Sequence, residues 1–555
     1  MKRHSSRLRG FLPMAILCVA GSHAGVATAT VADTVPRIAW SPCPAGFVDP
    51  VWQPVWGQRL ECGIMTAPLA YDDSAEGDIA VALIRIRAGE PSERQGALFF
   101  NFGGPGASPL KFLPDTAYLW SSASKDDPLD GDKRRLADRY DLVAVIPRGL
   151  AGGTWYGCLP VAPTGIDGND LSIYRNNAAW RIFVGDAVAR ANACADRLMP
   201  YLGTLDHVHD MERARMALGE TRMNFFGVSY GARVGALYAE AYPMRTGRMV
   251  LDSSMNFTAT FEEQFDETLR ERHEQFMLRA LIPAVSDVRY GLGTNPDAVL
   301  RQFMRMPGKA RQAWGPLIST PATLSAAMVM ASRAVSDDEV TADFMMQHID
   351  SHPFSIHTAV NRYIRTAAVS LIDALEADAP DDIIYRPVYY AVICGDTPWH
   401  RTLPALRERA RGWAKSFPTS TGESIDAGLV CHHWERSSRR QPRLPGREDA
   451  PPFLMVHAAV DSATPLALAR NAFVASPRAS MVVADGMVGH GIFGASATPC
   501  VEQSVGHFLL TGELPAERET HCAYEPRKPQ KHTDRADRPD LDERRKVLLQ
   551  RLRHS

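Results

Sequence analysis

A serine lies between two glycines in the stretch GVSYG (227–231). An apolar, strand-like run, RMNFFG (222–227), precedes it, and ARVGALYAEAYP (232–243) has the composition of a helix. A serine in the pattern Gly-x-Ser-x-Gly lies on a sharp turn from a strand to a helix, where side chains on the flanking positions would collide. Ser229 is therefore predicted to be a nucleophile. Taken alone, the five-residue pattern also fits a glycine-rich turn with a surface serine.

A nucleophilic serine needs a base to accept its proton and a carboxylate to orient that base. Asp461, in FLMVHAAVDSATP, follows an apolar run at the point where a loop would begin. His490, in DGMVGHGIFG, also follows a strand-like run and lies between glycines that permit a loop. The carboxyl ends of strands are where open α/β sheets carry their sites. These positions predict the triad Ser229, Asp461 and His490.

Other residues compete for the same two roles. Asp252, in VLDSS, follows the strand after the nucleophile, but an aspartate there more often accepts structural hydrogen bonds, so Asp461 is preferred as the acid. Four histidines are weaker candidates for the base, because they lie inside a strand, on a helical segment or beside a cysteine: His457, His507, His432 and His433.

Cleavage of an acyl bond creates an oxyanion, which rigid backbone N–H groups stabilise best. The stretch NFGGPGASP (101–109) follows a strand-like run and is rich in glycine. We expect Gly103 and Gly104 to supply one donor and Tyr230, the residue after the nucleophile, to supply the second. A plain turn after a strand would not require so many glycines.

These residues need a sheet to position them. Seven runs are short and almost continuously hydrophobic, as expected of strands that are buried on both faces; they lie at 78–89, 96–104, 140–149, 222–231, 248–254, 452–461 and 479–491. Helical stretches such as MERARMALGE (211–220) alternate with them, which indicates an α/β protein with a mostly parallel sheet. Between Ser254 and Pro452 the strand pattern stops, and NRYIRTAAVSLIDALEA (361–377) has an apolar helical face, so this block is predicted to be a mainly helical insertion.

The N-terminus and the cysteines indicate export. A basic start, an apolar stretch at 11–20 and small residues up to Ala32 are typical of a signal peptide covering residues 1–32. The apolar stretch is shorter than the roughly 20 residues of a membrane helix, so no stable membrane anchor is expected. An even number of cysteines in the exported chain favours disulfides. Pairing neighbours along the chain predicts Cys43–Cys62, Cys158–Cys194, Cys394–Cys431 and Cys500–Cys522.

Composition excludes several classes of protein. The 555 residues are 45% hydrophobic and 22% charged, which is ordinary for a globular protein and not for a disordered or fibrous one. The formal net charge is −2, and no basic stripe with interleaved aromatic residues stands out, so nothing favours a nucleic-acid partner. No cysteine spacing supports a metal site, and no organic cofactor is implied.

Together the motifs resemble exported tripeptidyl aminopeptidase-like serine hydrolases, in the prolyl-aminopeptidase branch of the α/β-hydrolases. The similar stretches span nearly all of the mature chain: GGPGASP, GVSYGARVGALYAEAYP, RMVLDSS, CGD (394–396), DSATP (461–465), GHG (489–491) and TGELP with the cysteine that follows. The resemblance implies an α/β-hydrolase fold, a cap domain over the site and cleavage near a free peptide N-terminus. It assigns the same triad, with Gly104 and Tyr230 in the oxyanion hole.

Two positions depart from the family's pattern. Asn101-Phe102 stands where the family usually has a histidine before the first glycine pair, and Ile146 replaces the acidic residue before Pro-Arg-Gly. Recognition of a substrate ammonium would need carboxylates at the entrance of the cap. Glu262 and Glu263 are candidates, although a pair of glutamates more often lies on a solvated helix face.

The sequence thus predicts an exported serine peptidase acting on short peptides. Its expected parts are a signal peptide (1–32), a catalytic domain in two pieces (33–254 and 452–524), a helical cap (255–451) and a charged, solvated tail (525–555) that ends in a short helix. A carboxylic-ester hydrolase with the same triad is the alternative, since both reactions use the same serine chemistry. A binding protein that has lost catalysis is disfavoured by the intact triad.

Overall fold

The protein is described here from a computed structural model. The described residues are 36–159, 161–162, 176–334, 336–349, 353–375, 383–420, 422–434, 451–494, 498–525 and 539–554. The predicted signal peptide at 1–32 lies outside them. The signal peptide therefore stays a prediction from the sequence.

The described residues build one sheet of ten strands. The strands are β1 Ile38–Pro42, β2 Leu60–Pro68, β3 Asp78–Ile86, β4 Gly96–Asn101, β5 Tyr140–Val145, β6 Met223–Val228, β7 Thr246–Asp252, β8 Leu454–Val460, β9 Ser480–Val488 and β10 Glu519–Ala523. Their order is β1-β2-β3-β5-β4-β6-β7-β8-β9-β10. Pairs from β1 to β5 along this order are antiparallel, and all later pairs are parallel. The predicted α/β class with a mostly parallel sheet is confirmed.

All seven strands predicted from the sequence form. Every residue of β4 and of β5 is buried, because helices cover both faces of the sheet. Three further strands, β1, β2 and β10, are absent from the sequence prediction. They contain polar residues and are partly exposed, so they lack the continuous apolar run that marked the others.

Nineteen α-helices accompany the sheet in the described part of the chain. Those of the sheet region are α1 Trp52–Trp56, α2 Pro109–Ser121, α3 Gly131–Arg139, α4 Asn177–Ala193, α5 Thr204–Ala217, α6 Tyr230–Ala241, and, after the insertion, α17 Leu466–Val474, α18 Pro499–Thr511 and α19 Leu541–His554. Those between β7 and β8 are α7 Phe261–Gln275, α8 Ile282–Ser286, α9 Pro296–Phe303, α10 Gly308–Trp314, α11 Pro321–Ala331, α12 Ala342–Ile349, α13 Thr358–Asp373, α14 Arg386–Gly395, α15 Leu403–Ser416 and α16 Glu423–His433.

The helical segment between β7 and β8 contains two differently packed parts. Buried side chains between Phe276 and Ile372 form a hydrophobic core of their own. Those between Ile383 and Trp434 belong instead to the main core around the sheet. The predicted insertion at 255–451 is therefore mainly helical where it is described, but only its middle part, between Phe276 and Ile372, has a separate interior.

The four predicted disulfides are confirmed. Cys43 pairs with Cys62, Cys158 with Cys194, Cys394 with Cys431, and Cys500 with Cys522. Each closes a loop of 19 to 37 residues, which is the short closure that chain neighbours offer.

The prediction of a solvated tail is wrong at its end. Helix α19 does form, but Leu548 and Leu552 are buried in the main core, and the helix packs against α2. The two leucines are four residues apart and so share one face of the helix. That apolar face is the physical reason why α19 docks although most of its residues are charged or polar.

Candidate active site

Ser229 lies on the turn between β6, which ends at Val228, and α6, which begins at Tyr230. Its backbone has φ 60° and ψ −121°, a conformation that a residue other than glycine rarely adopts and that marks functional turns. A Cβ on Gly227 would lie 2.4 Å from the carbonyl oxygen of Gly231. A Cβ on Gly231 would lie 2.5 Å from the carbonyl oxygen of Asn101. Both glycines are thus required by the close approach of backbone to backbone.

Asp461 and His490 form a buried pair. The Nδ1–H of His490 donates to Asp461 Oδ2 at 2.7 Å, and the side chains are 0% and 3% exposed. The other carboxylate oxygen accepts the backbone N–H groups of Ala463 and Thr464, each at 2.9 Å. Burial by itself would raise the pKa of Asp461, but His490 and the backbone N–H of Thr464 hold that pKa below its usual value. Asp461 is therefore a carboxylate that fixes the ring of His490.

The hydrogen bond to Asp461 also sets the tautomer of His490. Because Nδ1 carries the proton, Nε2 of the neutral ring has a free lone pair. Nε2 is buried and has no hydrogen-bond partner in the described part of the chain. An imidazole held in this way can accept a proton at Nε2.

Sheet order brings Ser229 to the same edge as this pair. Strands β6 and β8 flank β7 on its two sides and run parallel to it, and Ser229 and Asp461 each directly follow one of the flanking strands. The backbone N–H of Ser229 donates to the carbonyl of Asp252, the last residue of β7, at 3.0 Å. All three predicted triad residues consequently lie around the carboxyl end of β7.

Asp252, the rival candidate for the acid, holds the loop that carries His490. Its two carboxylate oxygens accept the backbone N–H groups of Ile492 at 3.0 Å and of Phe493 at 2.8 Å. The next residue, Ser253, accepts the N–H of Gly491 at 2.8 Å. Burial raises the pKa of Asp252 to about 6, against the lowering effect of the two backbone donors. Its contacts are those of a structural hydrogen-bond acceptor.

The glycine-rich loop after β4 lies beside the nucleophile turn. The N–H of Gly103 is already taken, since it donates to Asn101 Oδ1 at 3.0 Å. Gly104 has φ +102°, and a Cβ there would lie 2.7 Å from the backbone nitrogen of Gly106, so only glycine fits. Tyr230 is the first residue of α6, where a backbone N–H has no partner within the helix. Gly104 and Tyr230 therefore remain the two candidate oxyanion donors.

The likeness to known proteins agrees with this geometry. Residues 113–324 match the family model of the alpha/beta hydrolase fold, and residues 418–522 match that of TAP-like proteins. A tripeptidyl aminopeptidase of Streptomyces lividans is 26% identical over 528 residues, which cover 90% of this chain and 89% of that protein. The chain is a tripeptidyl aminopeptidase-like α/β-hydrolase.

Two further relatives of this TAP-like hydrolase are also hydrolases. Serine protease Hip1 of Mycobacterium tuberculosis is 28% identical over 228 residues, or 40% of each chain. The putative hydrolase YuaR of Escherichia coli is 22% identical over 497 residues, covering 85% of this chain and 91% of that one. The protein is accordingly a serine hydrolase related to tripeptidyl aminopeptidases and to Hip1.

The two glutamates predicted to bind a substrate ammonium have other partners in the TAP-like hydrolase. Glu262 is buried, forms an ion pair with Arg401 at 3.2 Å and accepts the backbone N–H of His400 at 3.1 Å. Glu263 closes a capping box with Thr260 at the start of α7. Both carboxylates are thus engaged in holding α7 and its neighbours, and we do not assign them to the substrate.

The weaker histidine candidates lie in other surroundings. His457 is buried inside β8, and burial lowers its pKa. His507 is exposed and lies 3.1 Å from Glu513. His432 and His433 lie next to each other at the end of α16. None of the four is paired with Asp461 by a hydrogen bond in the part of the chain that the structure describes.

Sequence reasoning did not single out the polar residues behind the oxyanion loop. Asn101 Nδ2 lies 3.1 Å from Nε2 of the buried His207. On the other side, Thr204 bonds both the Tyr230 hydroxyl and Asp396. The signals in the sequence were Asn101, which departs from the family's pattern, and the CGD motif that contains Asp396, but the contacts themselves join residues far apart in the chain. Within the described residues, no helix is both long and apolar enough to cross a membrane.

Proposed function

We propose that the protein is an exported serine peptidase that releases short peptides or single residues from the N-terminus of peptide substrates. The proposed triad is Ser229, His490 and Asp461. The observation that carries the proposal is the buried His490–Asp461 pair at the sheet edge where Ser229 lies on a strained turn, with no hydrogen-bond partner for His490 Nε2 among the described residues. Similarity to tripeptidyl aminopeptidases over 90% of the chain supports peptides as the substrate class.

In this mechanism, Nε2 of His490 accepts the hydroxyl proton of Ser229 while the serine oxygen attacks the scissile carbonyl. The N–H groups of Gly104 and Tyr230 donate to the oxyanion that develops. Asp461 remains ionised and stabilises the imidazolium, as expected from its lowered pKa. The imidazolium then protonates the leaving amine, and water hydrolyses the acyl-enzyme by the same steps.

Burial of the site favours small substrates. Ser229 is 5% exposed, and His490 is 3% exposed. The segment 383–386 borders the oxyanion loop, since the N–H of Tyr385 donates to the carbonyl of Gly106 at 3.0 Å. We propose that the helical residues 255–451 act as a cap on the catalytic parts 33–254 and 452–524. Such a cap would admit the end of a peptide and exclude a folded protein.

Export is proposed from the cysteines together with the N-terminal sequence. Disulfides persist in oxidising compartments such as the periplasm or the extracellular space, and the described part of the chain contains four. Signal-peptide cleavage near Ala32 would leave Pro36, the first described residue, close to the start of the mature chain. N-terminal sequencing of the secreted protein tests this directly.

A peptide-library digest read by mass spectrometry tests the function. We expect products that are one to three residues shorter at the N-terminus, and no products from Ser229→Ala. Peptides with an acetylated N-terminus are the matched control, since an aminopeptidase should leave them intact. Cleavage of p-nitrophenyl esters without any peptide cleavage would instead establish the ester-hydrolase alternative. Failure of a fluorophosphonate probe to label Ser229 would exclude both enzymes.

A further inference from the structure

The two proposed oxyanion donors are supported by the same turn of one helix. Thr204 and His207 are both in the first turn of α5, which spans Thr204–Ala217. Residues three apart in a helix lie on the same face. The His207 side chain contacts Asn101 in the glycine-rich loop, and the Thr204 side chain contacts Tyr230 in the nucleophile turn. The first turn of α5 thus contacts both segments that supply the proposed oxyanion donors, the glycine-rich loop and the nucleophile turn.

The direction of the hydrogen bonds on the loop side is fixed by chemistry. A backbone N–H can only donate, so the Asn101 atom that Gly103 contacts is the amide oxygen. The remaining NH₂ group must then donate to Nε2 of His207, which has to carry a lone pair. Complete burial lowers the pKa of His207 to about 4, so the ring is neutral at neutral pH and can accept this bond.

A second chain of hydrogen bonds runs on the nucleophile side. The Thr204 hydroxyl donates to a carboxylate oxygen of Asp396, because an ionised carboxylate can only accept. The Tyr230 hydroxyl therefore donates to the oxygen of Thr204. Asp396 Oδ1 also accepts the backbone N–H of Thr204 at 2.9 Å, so the carboxylate caps the N-terminus of α5. All three side chains are buried.

Asp396 connects this network to the helical insertion. It follows directly after α14, close to the disulfide between Cys394 and Cys431. Burial raises the pKa of Asp396, and the charge of the buried Arg233 opposes that rise. The insertion therefore contacts the catalytic region through the carboxylate of Asp396. Two hydrogen bonds, through the Thr204 hydroxyl, connect this carboxylate to Tyr230.

We propose that Thr204, His207 and Asp396 are positioning residues that hold the two oxyanion donors at the correct separation, and that Asp396 transmits the placement of the helical insertion to them. The inference rests on the proposed function, because it needs Gly104 and Tyr230 to be oxyanion donors. Small displacements of donor groups reduce transition-state stabilisation more than substrate binding. Loss of a support should therefore lower kcat and leave KM nearly unchanged.

The test compares Thr204→Val, which removes the hydroxyl but keeps the shape, with Thr204→Ser, which keeps the hydroxyl. The measurements are the rate of labelling by a fluorophosphonate probe, kcat and KM for p-nitrophenyl acetate, and the melting temperature. We expect Thr204→Val to lose at least about 10-fold in labelling rate and in kcat, with KM within about two-fold. Thr204→Ser should recover most of that loss. Equal rates for the two variants would overturn the proposal.

A second pair of variants guards against misfolding of Thr204→Val. Tyr230→Phe removes the same hydrogen bond from its other end, and the double variant Thr204→Val/Tyr230→Phe should be no slower than the worse single variant. Additive losses would show that the hydrogen bond is not the shared cause. Wild-type protein that is not labelled at Ser229 would refute the proposed function itself, whereas a labelled wild type with unaffected variants would refute only this inference.

Discussion

The carboxylate of Asp252 lies 2.8 Å from the backbone nitrogen of Phe493, three residues after His490. Through this contact and its bond to Ile492, the end of β7 fixes the loop that carries the proposed base. The proposed nucleophile binds the same residue, since the N–H of Ser229 donates to the carbonyl of Asp252. Asp252 is thus the point where the serine turn and the histidine loop meet.

Replacing Asp252 by Asn should separate the role of an acceptor from that of a catalytic acid. The amide keeps one oxygen acceptor and puts an NH₂ group opposite a backbone N–H, which leaves a buried donor unsatisfied at a cost of roughly 1–3 kcal/mol. We expect a lower free energy of unfolding in urea, together with a partial loss of kcat as the His490 loop shifts.

Replacing Asp461 by Asn should instead lower kcat strongly and change the stability only slightly. The amide can present NH₂ to Nδ1 of His490 and stabilise the wrong tautomer, so kcat should fall by roughly 10³- to 10⁴-fold. The melting temperature should change little by comparison. If Asp252→Asn is the variant with the larger loss of kcat, the assignment of the acid is reversed.

His207 should make the protein less stable in acid. Its pKa of about 4 in the folded protein is below the ordinary value of 6.5, so the unfolded chain binds a proton first as the pH falls. The stabilisation by the neutral ring is complete above about pH 6.5 and is lost as the pH falls towards 4. Asp210 favours the protonated ring, whereas Arg148 and the Asn101 amide donor disfavour it.

Urea unfolding of wild type and of His207→Gln at pH 7 and pH 4.5 measures this effect. Gln does not titrate, so its free energy of unfolding should fall less between the two pH values than that of wild type. Identical pH dependence in the two proteins would mean that the pKa of His207 is the same in the folded protein as in the unfolded chain.

Helix α19 should support the histidine loop from outside. A Cβ on Gly491 would lie 2.9 Å from a methyl group of Leu552, so this leucine packs directly against the residue after His490. Leu552→Ala should destabilise the protein by about 2 kcal/mol or more and also lower kcat. Leu548→Ala is the matched control, because Leu548 is equally buried, at 4% exposure.

Measurements of kcat and melting temperature for Leu552→Ala and Leu548→Ala test whether α19 supports the histidine loop. We expect similar losses of stability and a clearly larger loss of kcat for Leu552→Ala. Equal kcat values would limit α19 to a role in stability.

Local patterns predicted the features that depend on neighbours in the chain. The strand before Ser229 and the glycines around it are read directly from the sequence, because strand burial and turn geometry act over a few residues. The disulfides could also be predicted, because each one joins two cysteines that are neighbours along the chain. Strand β2 was not predicted, since Glu61 and Thr66 interrupt its apolar residues.

Features that depend on the tertiary fold could not be predicted in this way. Asn101 and His207 are 106 residues apart, and Thr204 and Asp396 are 192 apart. No periodicity in the sequence brings such residues together. The ion pair between Glu262 and Arg401 could not be predicted for the same reason, because the two residues are 139 apart in the chain. Packing, rather than residue type, decided which polar groups were already occupied.

The separate interior between Phe276 and Ile372 has an evolutionary consequence. Side chains there can be exchanged among relatives without repacking the residues around the sheet, because the two sets do not share one apolar cluster. Substitutions can therefore accumulate faster in this segment than in the strands of the sheet, whose side chains share the main core.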